Sequence, residues 1–326
     1  MAATALAVGH KITIGQATYS TTDHTRLTAL RVQSALDVPV NAARIALAPP
    51  DGLNAEPDDD VAIELGYDDQ LELVFTGKVD QVEARFDELV VYAAGSFRKL
   101  LAARFNLLYE KSKAGDVVSD LAGRLDVSTG SVEDGPEYPF LALSGSETAY
   151  GGLQRLAERC GFDLYADAED RLVFARYAAA ETVDLQFGVN VLSVQVENRN
   201  PLVKGAAVYG ESPASLGQGS DAASWLTKKE VSGKAGDSGG LALELFDATA
   251  RTQDMAAQAA QAVLAAVGKR RCTLRALGAP AAQLGGAVKV SGMPSDAQNG
   301  RFKLIGVEHR LDRRRGFISI MRGLEV

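Results

Sequence analysis

The stretch LSGSETAYGGLQRLAERCGFDLYADAEDRLVF, residues 143–174, is the most informative part of the chain for the fold. Ser144, with Glu147 three positions later, predicts a capping box at the start of a helix. Apolar and small residues then recur at helical spacing, and Gly161 stands where a helix C-cap belongs. Two short apolar runs separated by the polar turn 167–170 predict a β-hairpin. A capped helix followed at once by a hairpin indicates a compact α+β unit.

Strand patterns surround this unit on both sides. Apolar residues alternate with polar or small ones, the signature of half-buried strands, over 61–65, 71–75, 89–92, 288–290, 302–309 and 317–321. Two further helices are predicted beside the unit, one over 97–105 with Ser96 as its cap and one from near Asp116. The predicted fold class is therefore α+β, mainly β, with residues 95–186 inserted after a β domain, residues 1–94.

The segment before the last strands has a different composition. Residues 210–240 are rich in Gly, Ser, Ala and Lys, which predicts a flexible surface loop. Trp225, the only tryptophan, lies inside it and either anchors a partner or pins the loop. An Ala- and Gln-rich helix is predicted over 249–267.

A weak internal repeat connects the two ends of the chain. In an ungapped alignment that places Val79 on Val307, Leu89 falls on Phe317 and Gly95 falls on Gly323. Each copy has a charged turn in its middle. The pattern suggests two similar β units, although any two long hairpins share part of it.

Composition excludes several classes of protein. The 326 residues are 46% hydrophobic and 23% charged, which is ordinary for a globular chain. No apolar run is long enough for a membrane segment, and residues 1–8 lack the basic flank of a secretory signal. The net charge of −8 argues against stable nucleic-acid binding. Synthesis and folding in a cytoplasm are expected.

The charge is unevenly distributed. Acidic residues dominate residues 51–88, whereas basic residues dominate from Arg301 onward. Opposite charges at the two ends would steer head-to-tail association of copies, unless both regions are simply solvated faces.

Signatures of catalysis or metal binding are not found in the sequence. His10, His24 and His309 are not spaced as a metal-binding pair, and Cys160 and Cys272 form no Cys-x-x-Cys pair. The acidic run 58–60 lacks the ligand pattern of a calcium loop and is interpreted as a solvated turn. No phosphate-binding loop or nucleophile elbow occurs. No catalytic, cofactor-binding or metal-binding residue is predicted, and the protein is predicted not to be an enzyme.

Several segments in order carry a resemblance to a known family. SFRKLLAARF (96–105), GDVVSDLAGRLDV (115–127) and the stretch 143–174 together resemble the late control gene D family of phage tail hub proteins, which is related to the N-terminal part of the VgrG spike protein. LAERCG, residues 156–161, matches the Leu-Ala-x-x-x-Gly of that family, whereas Tyr150 stands where the family often has Trp or Phe. LGAPAAQLGGAVKVSGMP (277–294) and NGRFKLIGVEHRLDRRRGFISIMRG (299–323) also resemble it.

The resemblance implies an architecture and a role. It implies two tandem β-barrel tube domains, 1–94 and 187–326, with the α+β domain 95–186 inserted between them. It further implies a homotrimer at the centre of a contractile baseplate, which adapts a threefold spike to a sixfold tail tube and forms part of the delivery channel. The implied partners are the tail tube protein, a separate spike protein, baseplate wedge proteins and a tape-measure protein. The particle would be a virion tail, a tailocin or an extracellular injection system.

Two other classes stay open at this point. A cell-wall hydrolase would need a carboxylic acid with a raised pKa beside a second carboxylate, and such a pair is invisible in a sequence rich in acids. A carbohydrate-binding β module would need exposed aromatic residues, but aromatics make up only 6% of the chain.

Overall fold

The computed structural model describes residues 7–22, 26–48, 55–178, 181–198, 202–210, 231–237, 239–265, 267 and 270–326. Strands form most of the regular structure in these residues, and four α-helices are interspersed. The α+β, mainly β class predicted from the sequence is confirmed. Within the same ranges, no helix has both the length and the apolarity needed to cross a membrane.

The N-terminal sheet unit consists of seven strands: β1 (Val8–Ile14), β2 (Ala17–Ser20), β3 (Leu27–Ala35), β4 (Val38–Leu47), β5 (Asp60–Tyr67), β6 (Gln70–Ala84) and β7 (Leu89–Ala94). They pair in the order β3-β4-β7-β6-β5-β1-β2, and every pair is antiparallel. The alternation predicted for 61–65 places Val61, Ile63 and Leu65 on the buried face of β5. Together with Phe75 and Ile45 they form the apolar core of this unit, which Phe317 from the C-terminal part of the chain also joins.

The C-terminal sheet unit consists of six strands: β13 (Thr182–Gln186), β14 (Val191–Glu197), β18 (Arg271–Leu277), β19 (Ala287–Ser291), β20 (Gly300–Asp312) and β21 (Gly316–Glu325). They pair in the order β14-β18-β21-β20-β19-β13. A second apolar core, which includes Leu274, Phe302 and Met321, lies on one face of this unit. The strands predicted over 302–309 and 317–321 lie in β20 and β21, which a short turn connects.

The two sheet units are joined edge to edge. The second part of β20 pairs with β3 in antiparallel register, from Gly306 opposite Ala35 to Asp312 opposite Ala29. The result is one continuous 13-stranded sheet. No strand pair among the described residues closes either unit into a barrel, so the tandem barrels stay a prediction.

The middle unit carries three of the predicted helices and has an apolar core of its own. Its elements are α1 (Phe97–Ala102), β8 (Leu107–Lys113), α2 (Ala114–Arg124), β9 (Thr129–Val132), β10 (Glu137–Leu143), α3 (Ala149–Cys160), β11 (Asp163–Ala166) and β12 (Leu172–Ala175). The hairpin predicted after the third helix is the pair β11·β12, to which β9 adds in parallel.

The helix caps differ in part from the sequence prediction. Thr148, not Ser144, caps α3, because its side-chain oxygen accepts a hydrogen bond from the backbone N–H of Gly151 at 3.1 Å. Gly161 ends the helix in the left-handed region with φ 67°, as predicted. The Ser96 hydroxyl makes no capping bond to α1; instead the Ser96 N–H donates to the Asp170 carboxylate at 2.8 Å.

A small unit lies between β14 and β18 in the chain. It contains β15 (Val203–Tyr209), β16 (Ser232–Gly236), β17 (Leu241–Phe246) and α4 (Gln253–Ala265). The strands form a separate sheet, β16-β15-β17, and α4 packs on it around a core of small residues. The prediction of a loop over 210–240 is therefore wrong for residues 232–236. These residues form a strand in spite of their Gly-rich composition, because their backbone pairs with β15. The helix predicted over 249–267 begins later, at Gln253, and Trp225 lies outside the described residues.

Candidate assembly surface

The N-terminal and C-terminal sheet units repeat one strand arrangement. The order β3-β4-β7-β6-β5 of the first corresponds to β14-β18-β21-β20-β19 of the second, with the same chain order and antiparallel pairing throughout. The hairpins β6–β7 and β20–β21 occupy equivalent places, as the sequence repeat of Val79 with Val307 suggests. The edges differ, because β1 pairs with β5 in antiparallel fashion and β13 pairs with β19 in parallel.

The junction between β3 and β20 is a closed, buried contact. Val32 lies opposite His309, and each side chain is only 3% exposed. His309 Nδ1 lies 2.9 Å from the Ser319 hydroxyl of β21, and the ring also donates a hydrogen bond to the backbone of Ala282. Burial lowers the pKa of His309 to about 4, so the ring is neutral at pH 7. This buried, hydrogen-bonded histidine therefore packs inside the contact between the two units.

Ion pairs flank this junction on its solvent side. Arg31 of β3 pairs with Glu308 of β20 at 2.8 Å. Arg322 of β21 donates to both carboxylate oxygens of Asp37, in the β3–β4 turn, at 2.6 and 2.8 Å. These bidentate contacts orient the units relative to each other. Arg322 lowers the pKa of Asp37. Against the opposing effect of burial, Arg310 together with Arg31 lowers the pKa of Glu308.

The edges equivalent to this junction are open in a single copy. On the side that faces β5, β6 pairs with β5 up to Lys78. The backbone of Val79 forms hydrogen bonds with the backbone of residues 58 and 59 on the same side. No described residue pairs with Gln81–Ala84 on that side. At the other end of the sheet, β14 pairs with β18 on one side, and its outer edge from Ser193 to Glu197 has no strand beside it in the described ranges.

Burial at the open edges is correspondingly incomplete. Val82 of β6 and Val194 of β14 pack against the two sheet cores but stay half-exposed. The residues in the equivalent places of the closed junction, His309 and Val32, are almost fully buried. Apolar side chains left half-exposed at an unpaired edge favour association with another strand.

Further exposed apolar residues lie near these edges. Phe86, at the tip of the β6–β7 hairpin, is fully exposed. Around the start of β14, large exposed side chains come from Phe187, Val189, Leu192 and Leu277. A separate group lies on the edge strand β17: Leu241, Leu243, Leu245 and Phe246. The sequence pattern did not identify these positions, although a phenylalanine within the charged turn 85–88 was a visible signal for Phe86.

The acidic and basic regions are partly paired inside one copy. Arg98 binds Asp58 at 2.8 Å and Asp80 at 2.9 Å, and Lys78 binds Asp60 at 2.8 Å. Among the C-terminal bases, Arg322 and Arg310 pair with acids of the same chain. This internal pairing weakens the idea that the two regions attract each other between copies, because each exposed pair contributes little free energy and already neutralises its charges.

The residues considered for chemistry lie apart from one another. His10 and His309 are buried in different sheet units, and His24 lies outside the described residues. Cys160 is buried in the middle unit and Cys272 in the C-terminal unit, and burial raises their thiol pKa values to about 11 and about 12. Within the described ranges, no three His, Cys, Asp or Glu residues are grouped to hold a metal ion.

Two carboxylic acids, Asp170 and Glu72, have raised pKa values, and the pKa of Glu72 is raised by burial and by the nearby charge of Glu181. Burial raises the pKa of Asp170 to about 6. Both carboxylate oxygens, however, accept the Ser96 N–H, and the residue holds the β11–β12 turn against the start of α1. Burial and the nearby charge of Asp167 raise the pKa of Asp170, whereas the hydrogen bonds from Ser96 lower it and give the carboxylate a structural role.

No protein-family model matches the sequence, and no curated protein matches it either. Solved structures do share the fold. The 43 kDa tail protein of prophage MuSo2 from Shewanella oneidensis is 14% identical with a TM-score of 0.68, over 97% of this chain and 98% of that one. A tail protein from Neisseria meningitidis MC58 is 15% identical with a TM-score of 0.67, over 98% and 96%.

A third similar structure comes from a secretion machine. The Escherichia coli c3393 protein, a component of the type VI secretion system, is 12% identical with a TM-score of 0.60, over 97% of this chain and 77% of that one. The protein described above therefore has, along nearly its whole length, the fold found in phage tail proteins and in a type VI secretion component.

Proposed function

We propose that this protein is the structural central hub of a contractile tail or injection-system baseplate and has no catalytic activity. Three copies would form a ring that adapts a threefold spike to the sixfold tail tube and lines part of the delivery channel. In this proposal the two tube domains, each completed as a barrel, are residues 1–94 and the C-terminal sheet unit. That unit includes β13 (Thr182–Gln186), so the inserted domain begins at residue 95 and ends before β13, not at residue 186.

The repeated strand arrangement is the observation that carries this proposal. Two equivalent sheet units in one chain supply six equivalent units in a trimer, which is the number needed to match a sixfold tube. The unit-to-unit junction β3·β20 supplies one kind of contact inside each copy, and the open edges of β6 and β14 are available for the other kind between copies.

The mechanism in this proposal is mechanical. The ring would bind the tail tube protein on one face and a separate spike protein on the other, with wedge proteins outside and the tape-measure protein in the lumen. A net charge of −8 suits a channel that must release DNA or an effector, because a negatively charged wall does not retain a polyanion. The particle would assemble in the bacterial cytoplasm and act as a virion tail or a tail-like particle.

The mass and symmetry of the purified protein test the proposal. Light scattering should give three times the chain mass, and class averages of negatively stained particles should show a threefold ring with six similar lobes and an open lumen. A protein that stays monomeric at high concentration, and also with its tube and spike neighbours, would contradict the hub. Lysis of purified peptidoglycan would contradict the absence of catalysis.

A further inference from the structure

We infer that copies of this chain join by antiparallel pairing of β14 of one copy with the end of β6 of the next, with Val194 opposite Val82. The inference deepens the proposed hub function, since it names the two edges through which the ring would close. It follows from the equivalence of the two sheet units, whose internal junction serves as a template for the contact between copies.

A row of residues that lie side by side across neighbouring strands shows which positions of the two sheet units are equivalent. In the N-terminal unit, Val32, Ala43, Ala93 and Val79 lie side by side across β3, β4, β7 and β6. In the C-terminal unit, the same row is Val194, Leu274, Met321 and Val307 across β14, β18, β21 and β20. Val194 therefore holds in its unit the place that Val32 holds in the other.

A second comparison of cross-strand pairs identifies the residue of β6 that takes part in the contact between copies. The register of β6 against β7 shifts between Val79 and Gln81, which marks Asp80 as a bulge. After this bulge, Val82 lies opposite Val91 as His309 lies opposite Ser319. Because His309 pairs with Val32 inside the chain, Val82 should pair with the equivalent of Val32, which is Val194. The neighbouring pairs are then Gln81 with Gln195 and Glu83 with Ser193.

The chemistry of the two edges fits this register. Val82 and Val194 would both turn toward the sheet cores and lose the exposure that each has in a single copy. Gln81, Gln195 and Ser193 are exposed polar residues, suited to the opposite face.

The contact is heterologous and directional. Within one copy, β18, β21, β20, β3, β4 and β7 lie between β14 and β6, so the two edges cannot meet in the same chain. Each copy therefore offers one β14 edge and one β6 edge, and repetition of the contact forms a ring if the rotation closes.

Paired cysteines test the register directly. Directly opposed residues of an antiparallel pair have Cα atoms about 4.5–5.5 Å apart, within the range that a disulfide spans. Q81C mixed with Q195C, and E83C mixed with S193C, should each form a covalent dimer under mild oxidation on a non-reducing gel. Single variants alone should not. The native thiols are buried with raised pKa values, so they stay largely protonated and unreactive near pH 8.

Recombining the same cysteines provides a matched control. In the inferred register, Q81C with S193C and E83C with Q195C are two residues out of step, with Cα atoms about 8 Å apart, beyond disulfide reach. Light scattering could show rings although the two matched pairs form no disulfide or the recombined pairs form more covalent dimer. Either result would overturn the register and leave the hub proposal standing. Monomers without any disulfide, both at high concentration and in the presence of the tube and spike neighbours, would contradict both proposals.

Discussion

His309 is the residue whose protonation should set the pH dependence of the internal junction. In the fold it stays neutral down to about pH 4, whereas in the unfolded chain it takes up a proton near its ordinary pKa of 6.5. Between these values the unfolded state binds more protons, so the free energy of unfolding should fall as the pH drops from 6.5 to about 4. The loss is on the order of 3 kcal/mol and levels off below that window.

Thermal unfolding of the parent and of His309→Gln across pH 4–7 measures this contribution. The glutamine cannot titrate, so the difference between the two melting temperatures should narrow as the pH falls. Asp170, whose raised pKa acts in the opposite direction over an overlapping range, is present in both proteins and cancels in the comparison. A constant difference across the range would show that His309 does not carry the effect.

Gly161 is a second residue with a distinct physical requirement. Its φ of 67° lies in the left-handed region, and an added Cβ would approach the Ala262 Cβ of α4 at 3.2 Å. Gly161→Ala should therefore lower the free energy of unfolding by about 1–2 kcal/mol, measured by urea denaturation.

Gly123 provides the matched control. It lies inside α2, and an added Cβ there meets nothing within 4 Å. Gly123→Ala should raise the free energy of unfolding by about 0.5–1 kcal/mol, because alanine is the better helix former. Equal effects of the two substitutions would indicate that helix propensity, and not the backbone conformation, decides at Gly161.

At the scale of single elements, the sequence motif and the structure assign the N-cap of α3 to different residues. Thr148→Ala removes the oxygen that accepts the Gly151 N–H and should cost about 1 kcal/mol in urea denaturation. Ser144→Ala should cost clearly less, because the Ser144 hydroxyl bonds Ser146 in the preceding turn and not the helix. A larger loss of unfolding free energy for Ser144→Ala than for Thr148→Ala would support the capping box expected from the sequence.

Most elements could be predicted from local patterns, and the failures share a cause. The hairpins 70–94 and 300–325 and helices α1, α2 and α3 follow from apolar spacing and from glycine at turns. Strand β16 did not, because its residues SGKAG have no apolar alternation and are held by pairing with β15. Strand β17 is apolar but mostly exposed, so its pattern does not report burial.

At the scale of the whole molecule, blocking one edge should stop assembly without unfolding the chain. A lysine at Val82 or Val194 would bury an unpaired charge at the inferred contact, so each variant alone should stay monomeric by light scattering. A mixture of Val82→Lys and Val194→Lys should give dimers and nothing larger, because each variant keeps one intact edge complementary to the edge that its partner keeps.

Leu202→Lys is the control for this experiment. Leu202 is 83% exposed and lies on neither edge, so the change adds the same charge without touching the contact. Its oligomeric state and melting temperature should match the parent. Monomers from Leu202→Lys, or rings from Val194→Lys with an unchanged melting temperature, would argue against pairing through β14.

The sequence by itself determined the fold class, most strands and helices, the weak repeat between the chain ends and the lack of catalytic motifs. Those features depend on spacing along the chain, which local periodicity records. Tertiary structure alone decided that β20 pairs with β3, that β15, β16, β17 and α4 form a unit of their own, and which edges of β6 and β14 stay open among the described residues. Pairing between strands distant in sequence depends on which backbone groups meet in space, and a linear pattern of apolar residues carries no record of that choice.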